Sequence, residues 1–99
     1  MTADDVRAAL KDVYDPELGY NIVDLGLIYG IVVNDDSEVD ITMTMTTPGC
    51  PAASYIEDGT RERVLAMDGT KGVDVHVVWS PPWTPDMMSD DAKSYFGFA

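Results

Sequence analysis

Residues 39–46 run Val-Asp-Ile-Thr-Met-Thr-Met-Thr, with Val39, Ile41, Met43 and Met45 on one side and Asp40, Thr42, Thr44 and Thr46 on the other. A period of two belongs to a β-strand, and the apolar and polar rows make it a strand with one dry face and one wet face. The rest of the chain has to cover that dry face. Residues 27–33, Leu-Ile-Tyr-Gly-Ile-Val-Val, are almost wholly apolar and β-prone, as in a strand covered on both faces. Asn34-Asp35-Asp36-Ser37 between them is turn chemistry, so the two runs form a hairpin.

Helical periodicity flanks this hairpin. Thr2 and Asp5 have capping-box spacing, and Val6, Ala9, Leu10, Val13 and Tyr14 follow on one face of a helix that stops at Asp15, before Pro16. Residues 17–21 read as a loop. From Pro51 to Met67 a second helix is predicted, with Ala52, Tyr55, Ile56, Val64 and Met67 near one face and Gly69 ending it. Val73, Val75, Val77 and Trp79 alternate with Asp74, His76 and Val78 in a third strand that Ser80-Pro81-Pro82 terminates, and a short helix can follow Ser89. The order α-β-β-α-β fits an α+β class: a two-layer sandwich, both helices on one side of a three-stranded mixed sheet. At 99 residues the chain has room for one domain, 1–99, and for one site.

Charge narrows the function classes. The 18 acidic residues against 6 lysines and arginines give a net charge of −12, spread along the chain rather than gathered in a tail. Such a surface repels phosphate backbones and anionic membranes. The Asp-rich, Lys-poor composition resembles halophilic proteins of salt-loving archaea, with an ordinary acidic mesophile protein as the alternative. There is no long apolar run and no basic-then-apolar leader at the N-terminus, so the expected location is cytoplasmic. No glycine-rich phosphate loop and no Ser-His-Asp ordering appears.

One cysteine remains to be explained. Cys50 lies in Thr46-Thr47-Pro48-Gly49-Cys50-Pro51, where Pro48 fixes a dihedral, Gly49 permits a close backbone path and Pro51 suits a first helical position. That places Cys50 at or beside a helix N-cap, where unpaired N–H groups and the helix dipole favour the thiolate that binds metal or attacks an electrophile. The bland alternative, a small buried hydrophobe, is less natural between two prolines. A closed zinc or iron–sulfur site takes about four ligands. One Cys and one His cannot supply them unless carboxylates fill in, so the site is shared with another chain or its ligand is held transiently. His76, mid-strand opposite Val75 and Val77, reads as a surface or packing residue.

Asp15-Pro16-Glu17 sets two carboxylates on one side of an extended stretch, able to hold a hard cation or support a thiolate-bound iron; read locally, the tract is a helix stop and a solvated turn. Asp24 reads as a capping or network residue. The segment Trp79 to Ser89 has three prolines, two tryptophans and two methionines, the makings of a protein-binding surface at Trp83, Met87 and Met88 or of a lid over a small core.

Four tracts in this order, Asp15-Pro16-Glu17, Asn21-Ile-Val-Asp-Leu-Gly-Leu-Ile-Tyr29, Thr46 to Pro51 and Trp83 to Ser89, together resemble the PaaD/SufT family of metal–sulfur cluster biosynthesis proteins over nearly the whole chain. The resemblance implies an iron–sulfur cluster assembly domain similar to the C-terminal domain of NifU. It implies a non-enzymatic part in assembling clusters or passing them to client apoproteins, with PaaD-like accessory service to a multicomponent oxygenase as the alternative. Cys50 maps onto the family's functional cysteine and metal ligand, and Asp15 and Glu17 onto its Asp-Pro-Glu tract. The implied cofactor is transient iron or an iron–sulfur cluster; the implied partners are assembly proteins, clients or a second copy. Unlike the NifU domain, the chain lacks a Cys-x-x-Cys pair, which points to a carrier, adaptor or transfer role more than to a scaffold.

Self-repulsion of the acidic surface is screened as the Debye length falls to about 3 Å at 1 M salt. The melting temperature, followed by circular dichroism, is therefore expected to rise between dilute buffer and molar potassium chloride; a flat or falling trend would remove the halophilic reading.

Overall fold

The computed structural model describes residues 1–46 and 52–98. The strand order of the main sheet is β3-β4-β5, with β3 at Ile28–Val33, β4 at Glu38–Met43 and β5 at Gly72–Val77. β3 and β4 are antiparallel, with Ile31 opposite Ile41 and Val33 opposite Val39; β4 and β5 are parallel, with Ile41 beside Val75 and Thr42 beside His76. The sheet is therefore mixed, as expected, and β4 is its middle strand. Helices α1, Ala3–Leu10, and α2, Ala52–Leu65, lie against β3 and β5 respectively and touch each other.

The alternation in β4 explains this layering. Val39, Ile41 and Met43 are fully buried, while Asp40 and Thr42 between them are half-buried on the other face. Each buried apolar side chain of this size contributes roughly 1.5–3 kcal/mol relative to an exposed one. Opposite the helices, Val32 is exposed and His76 Nε2 lies 3.8 Å from Asp40 Oδ1, so His76 is a surface residue. The wet face does not reach the end of the run. Thr44 is fully buried, its N–H donating to the Leu27 carbonyl, and its hydroxyl has no hydrogen-bond partner among the described residues.

Both helix registers differ from the sequence expectation at their edges. The capping box forms as read, the Asp5 N–H donating to Thr2 Oγ1 at 3.2 Å and the Thr2 N–H to Asp5 Oδ2 at 2.9 Å. The helix ends five residues early, however. The N–H groups of Lys11, Asp12 and Val13 turn back to carbonyls three residues before them, and the Val13 carbonyl then accepts from Ile22 N–H at 2.9 Å. That long-range bond draws the chain into a small antiparallel hairpin, β1 at Tyr14–Asp15 and β2 at Tyr20–Asn21, absent from the sequence reading. Tyr14 is exposed as a result. On α2 the buried stripe is Ile56, Thr60 and Val64, and Tyr55, expected on that face, is one position off it and 65% exposed. Gly59 faces inward without a side chain, at a place where a Cβ would touch Val13 Cγ1 at 3.5 Å.

The C-terminal segment returns to the region after the hairpin. A 3-10 turn at Pro85–Met87 leads to α3, Asp90–Phe96, N-capped by Ser89 as anticipated. Gly26, at φ +82°, meets the Met87 backbone so closely that a Cβ would lie 2.7 Å from the Met87 carbonyl carbon and 2.9 Å from its Cβ. Gly26→Ala combines positive-φ strain with this collision, and chemical denaturation is expected to show a loss of about 2 kcal/mol or more. Gly69→Ala, at φ +87° with open space around it, is expected to lose distinctly less.

Candidate functional site

Asp15 ends β1 and is nearly buried at 3% exposure. The next four residues form a turn rather than the extended stretch expected for Asp15-Pro16-Glu17. Asp15 Oδ1 accepts from the N–H groups of Glu17 at 2.8 Å and Leu18 at 3.3 Å, while its backbone carbonyl accepts from Gly19 N–H at 2.7 Å. Asp15 therefore holds the turn together before it can do anything else. Glu17, two residues on, is exposed. The two carboxylates differ in setting: one is fixed and dry, the other faces water.

A second loop braces the first. Asn21, on β2, accepts Asp24 N–H through Oδ1 at 2.8 Å and donates through Nδ2 to Asp24 Oδ2 at 2.7 Å. Asp24 is thus the network residue its sequence setting indicated, and its carbonyl accepts from Ser89 N–H at 2.8 Å. The Trp83 indole N–H donates to the Leu25 carbonyl at 2.7 Å. The Tyr29 hydroxyl donates to the Pro81 carbonyl at 2.8 Å and lies 3.4 Å from Met87 Sδ. Residues 81–89 are accordingly fastened to residues 24–29 by side-chain and backbone bonds from both.

The fastening sets how much of Trp83, Met87 and Met88, the expected partner surface, is open. Met88 is 6% exposed and belongs to the apolar core. Trp83 and Met87 are half-buried, the indole N–H committed to Leu25 and the Met87 sulfur set against Tyr29. The segment serves as a lid over the core, and its exposed aromatic is Trp79, at 46%. Cys50 and the rest of residues 47–51 lie outside the described residues, so the expectation placed on that thiol is carried by the sequence. Among the described residues no three His, Cys, Asp or Glu side chains converge in a way that would hold a metal ion.

The sequence reading missed two surface features. One is a shallow groove of about 620 Å³ between the end of α1 and α2, lined by Val13, Tyr14, Tyr55 and Gly59 and crossed by an Arg63–Asp12 ion pair at 3.0 Å. The other is a cluster of rings from β2 and α3, Tyr20, Tyr95 and Phe96. Neither has a linear signature, because each joins tracts at least forty residues apart.

Comparison with known proteins fits this arrangement. The profile of a family described as iron–sulfur cluster assembly protein matches residues 3–77. An Fe–S protein maturation auxiliary factor of Porphyromonas gingivalis is 44% identical over 98 residues, 99% of this chain and 93% of that protein. An iron–sulfur cluster carrier protein of a Synechocystis species is 32% identical over 82 residues, which are 83% of this chain and 23% of that larger protein. The crystal structure of a domain of unknown function from Bacillus anthracis superposes with a TM-score of 0.90 at 39% identity, covering 98% of this chain and 92% of that one.

The hydrogen bonds at Asp15 separate its structural work from any ligand role. Asp15→Asn keeps an oxygen for the Glu17 and Leu18 N–H groups and is expected to unfold near the wild-type midpoint, whereas Asp15→Ala is expected to lose about 1–2 kcal/mol in urea titration.

Proposed function

The chain belongs to the iron–sulfur cluster assembly protein family, and from that membership we propose that it acts as a non-enzymatic factor in the assembly of iron–sulfur clusters or their transfer to client apoproteins. The observation that carries this reading is the 44% identity across 99% of the chain to a protein named for Fe–S protein maturation. The likeness to part of a cluster carrier protein supports transfer in particular.

In this reading iron or a cluster is cargo. Cys50, two residues before α2 in the sequence, is its thiolate ligand, and Asp15 and Glu17 are the supporting carboxylates. The sequence, with one Cys and one His, favours temporary holding over permanent storage. Asp15 Oδ1 is already engaged by two backbone N–H groups, and no closed ligand set converges among the described side chains. Remaining ligands then come from an assembly protein, a client or a second copy, and release needs only that contact to break. The −12 charge favours protein partners over nucleic acid or anionic membrane. No described helix is long and apolar enough to cross a membrane. Cytoplasmic work on soluble partners is consistent with both.

Anaerobic incubation with ferrous iron and sulfide, alone and beside an apo-ferredoxin, tests the proposal. The wild type is expected to develop visible iron–sulfur absorption or to speed its appearance on the ferredoxin, and Cys50→Ala to lose most of that effect with an unchanged melting curve. Equal absence of both effects in the two proteins would overturn the metal-handling role.

A further inference from the structure

Aromatic rings from β2 and α3 meet at one corner of the molecule. The Tyr20 ring centroid is 5.1 Å from that of Tyr95 and 5.7 Å from that of Phe96, and Tyr95 and Phe96 stand edge to face at 4.9 Å and 87°. Ring groups of this kind usually place their area inside a core or an interface. Here Tyr95 is 66% exposed, and Phe98, just beyond the helix, is 58% exposed. The corner adjoins the turn assigned to the site, because Tyr20 is the cross-strand partner of Asp15 in the hairpin register.

Negative charge gathers at the same place. The Tyr20 phenol is pushed above its ordinary range by burial first and then by the carboxylates of Asp24 and Asp91, which come from two different parts of the chain. Asp90 and Asp91 open α3, and Lys93 is the one cation on that helix. An exposed ring face within an acidic field attracts a guanidinium or ammonium group twice, through the ring quadrupole and through the carboxylates.

We propose that the Tyr20, Tyr95 and Phe96 corner is the docking surface for a cationic segment of a partner protein, with an arginine or lysine over the open face of Tyr95 and Asp24 and Asp91 beside it. A second copy of this chain is a poor occupant of this corner, since its 6 basic residues among 18 acidic ones offer no cationic segment to place there. A partner held here lies next to the Asp15 turn, where cargo would change hands. The inference rests on the partner-handling role proposed above and is independent of Cys50 chemistry.

Calorimetric titration of the full chain with a short synthetic peptide of alternating arginine and leucine, at physiological salt, provides the test. Tyr95→Leu is expected to weaken binding about threefold to fivefold, Tyr95→Phe to leave it unchanged, and Asp91→Asn to weaken it more than the paired Asp35→Asn and Asp36→Asn change on the β3–β4 turn. Wild-type affinity in Tyr95→Leu, or equal weakening by the two sets of aspartate changes, would overturn the proposal in favour of diffuse attraction to an acidic surface. Cys50→Ala is expected to bind the peptide normally, so failure of cluster handling and failure of this surface are read separately.

Discussion

Val39, Ile41 and Met43 lie in the middle strand of the sheet, and their exclusion from water requires material on one side of it along its whole length. α1 and α2 supply that material, and the hairpin with β3 and the crossover to β5 supply the lateral hydrogen bonds. A slip of one residue in β4 would turn Asp40 and Thr42 inward and the three apolar side chains outward, so the register is fixed by burial as much as by pairing. In sequence, Cys50 falls between this strand and α2, two residues before the helix begins at Ala52.

Around that frame, side-chain hydrogen bonds close local turns and tie distant segments together. Asp15 closes its own turn, Asn21 and Asp24 close the next, and Trp83 and Tyr29 tie the C-terminal segment to both sides of Gly26. Surface ion pairs add little: Arg61 with Glu57 and Asp58 is at 3.5–3.7 Å and substantially exposed, and such pairs give about 0–1 kcal/mol each. In an acidic chain this is expected, because most carboxylates have no cation available to meet them.

The sheet and the helix order were legible because they follow from periodicity, which is a local property. Val39 to Met45 announces its strand, and Thr2, Ser89 and Gly69 mark helix or turn boundaries through their own side chains or their lack of one. What stayed hidden depends on distant partners. Nothing near Val13 in sequence shows that Ile22 will take its carbonyl and end the helix, and nothing in Trp83 or Met88 shows that one will spend its N–H on Leu25 and the other its side chain in the core. Tyr55 shows a narrower failure: Ile56 beside it fits the same helical period, and only packing into the core decides which of the two turns inward. For the candidate site, Asp15, Glu17 and Cys50 are proposed from their motifs, while the aromatic corner, built from residues 20, 95 and 96, had no motif to show.

The bond from Trp83 to Leu25 spans 58 residues and that from Tyr29 to Pro81 spans 52. Contacts of such separation form late, after the loop entropy between them has been overcome. During synthesis, the tract around Gly26 emerges long before the segment that clamps it. The Asp24–Tyr29 tract is consequently unclamped on the nascent chain until residues 81–89 have emerged, while the Asp15 turn, closed by its own hydrogen bonds, does not wait for them.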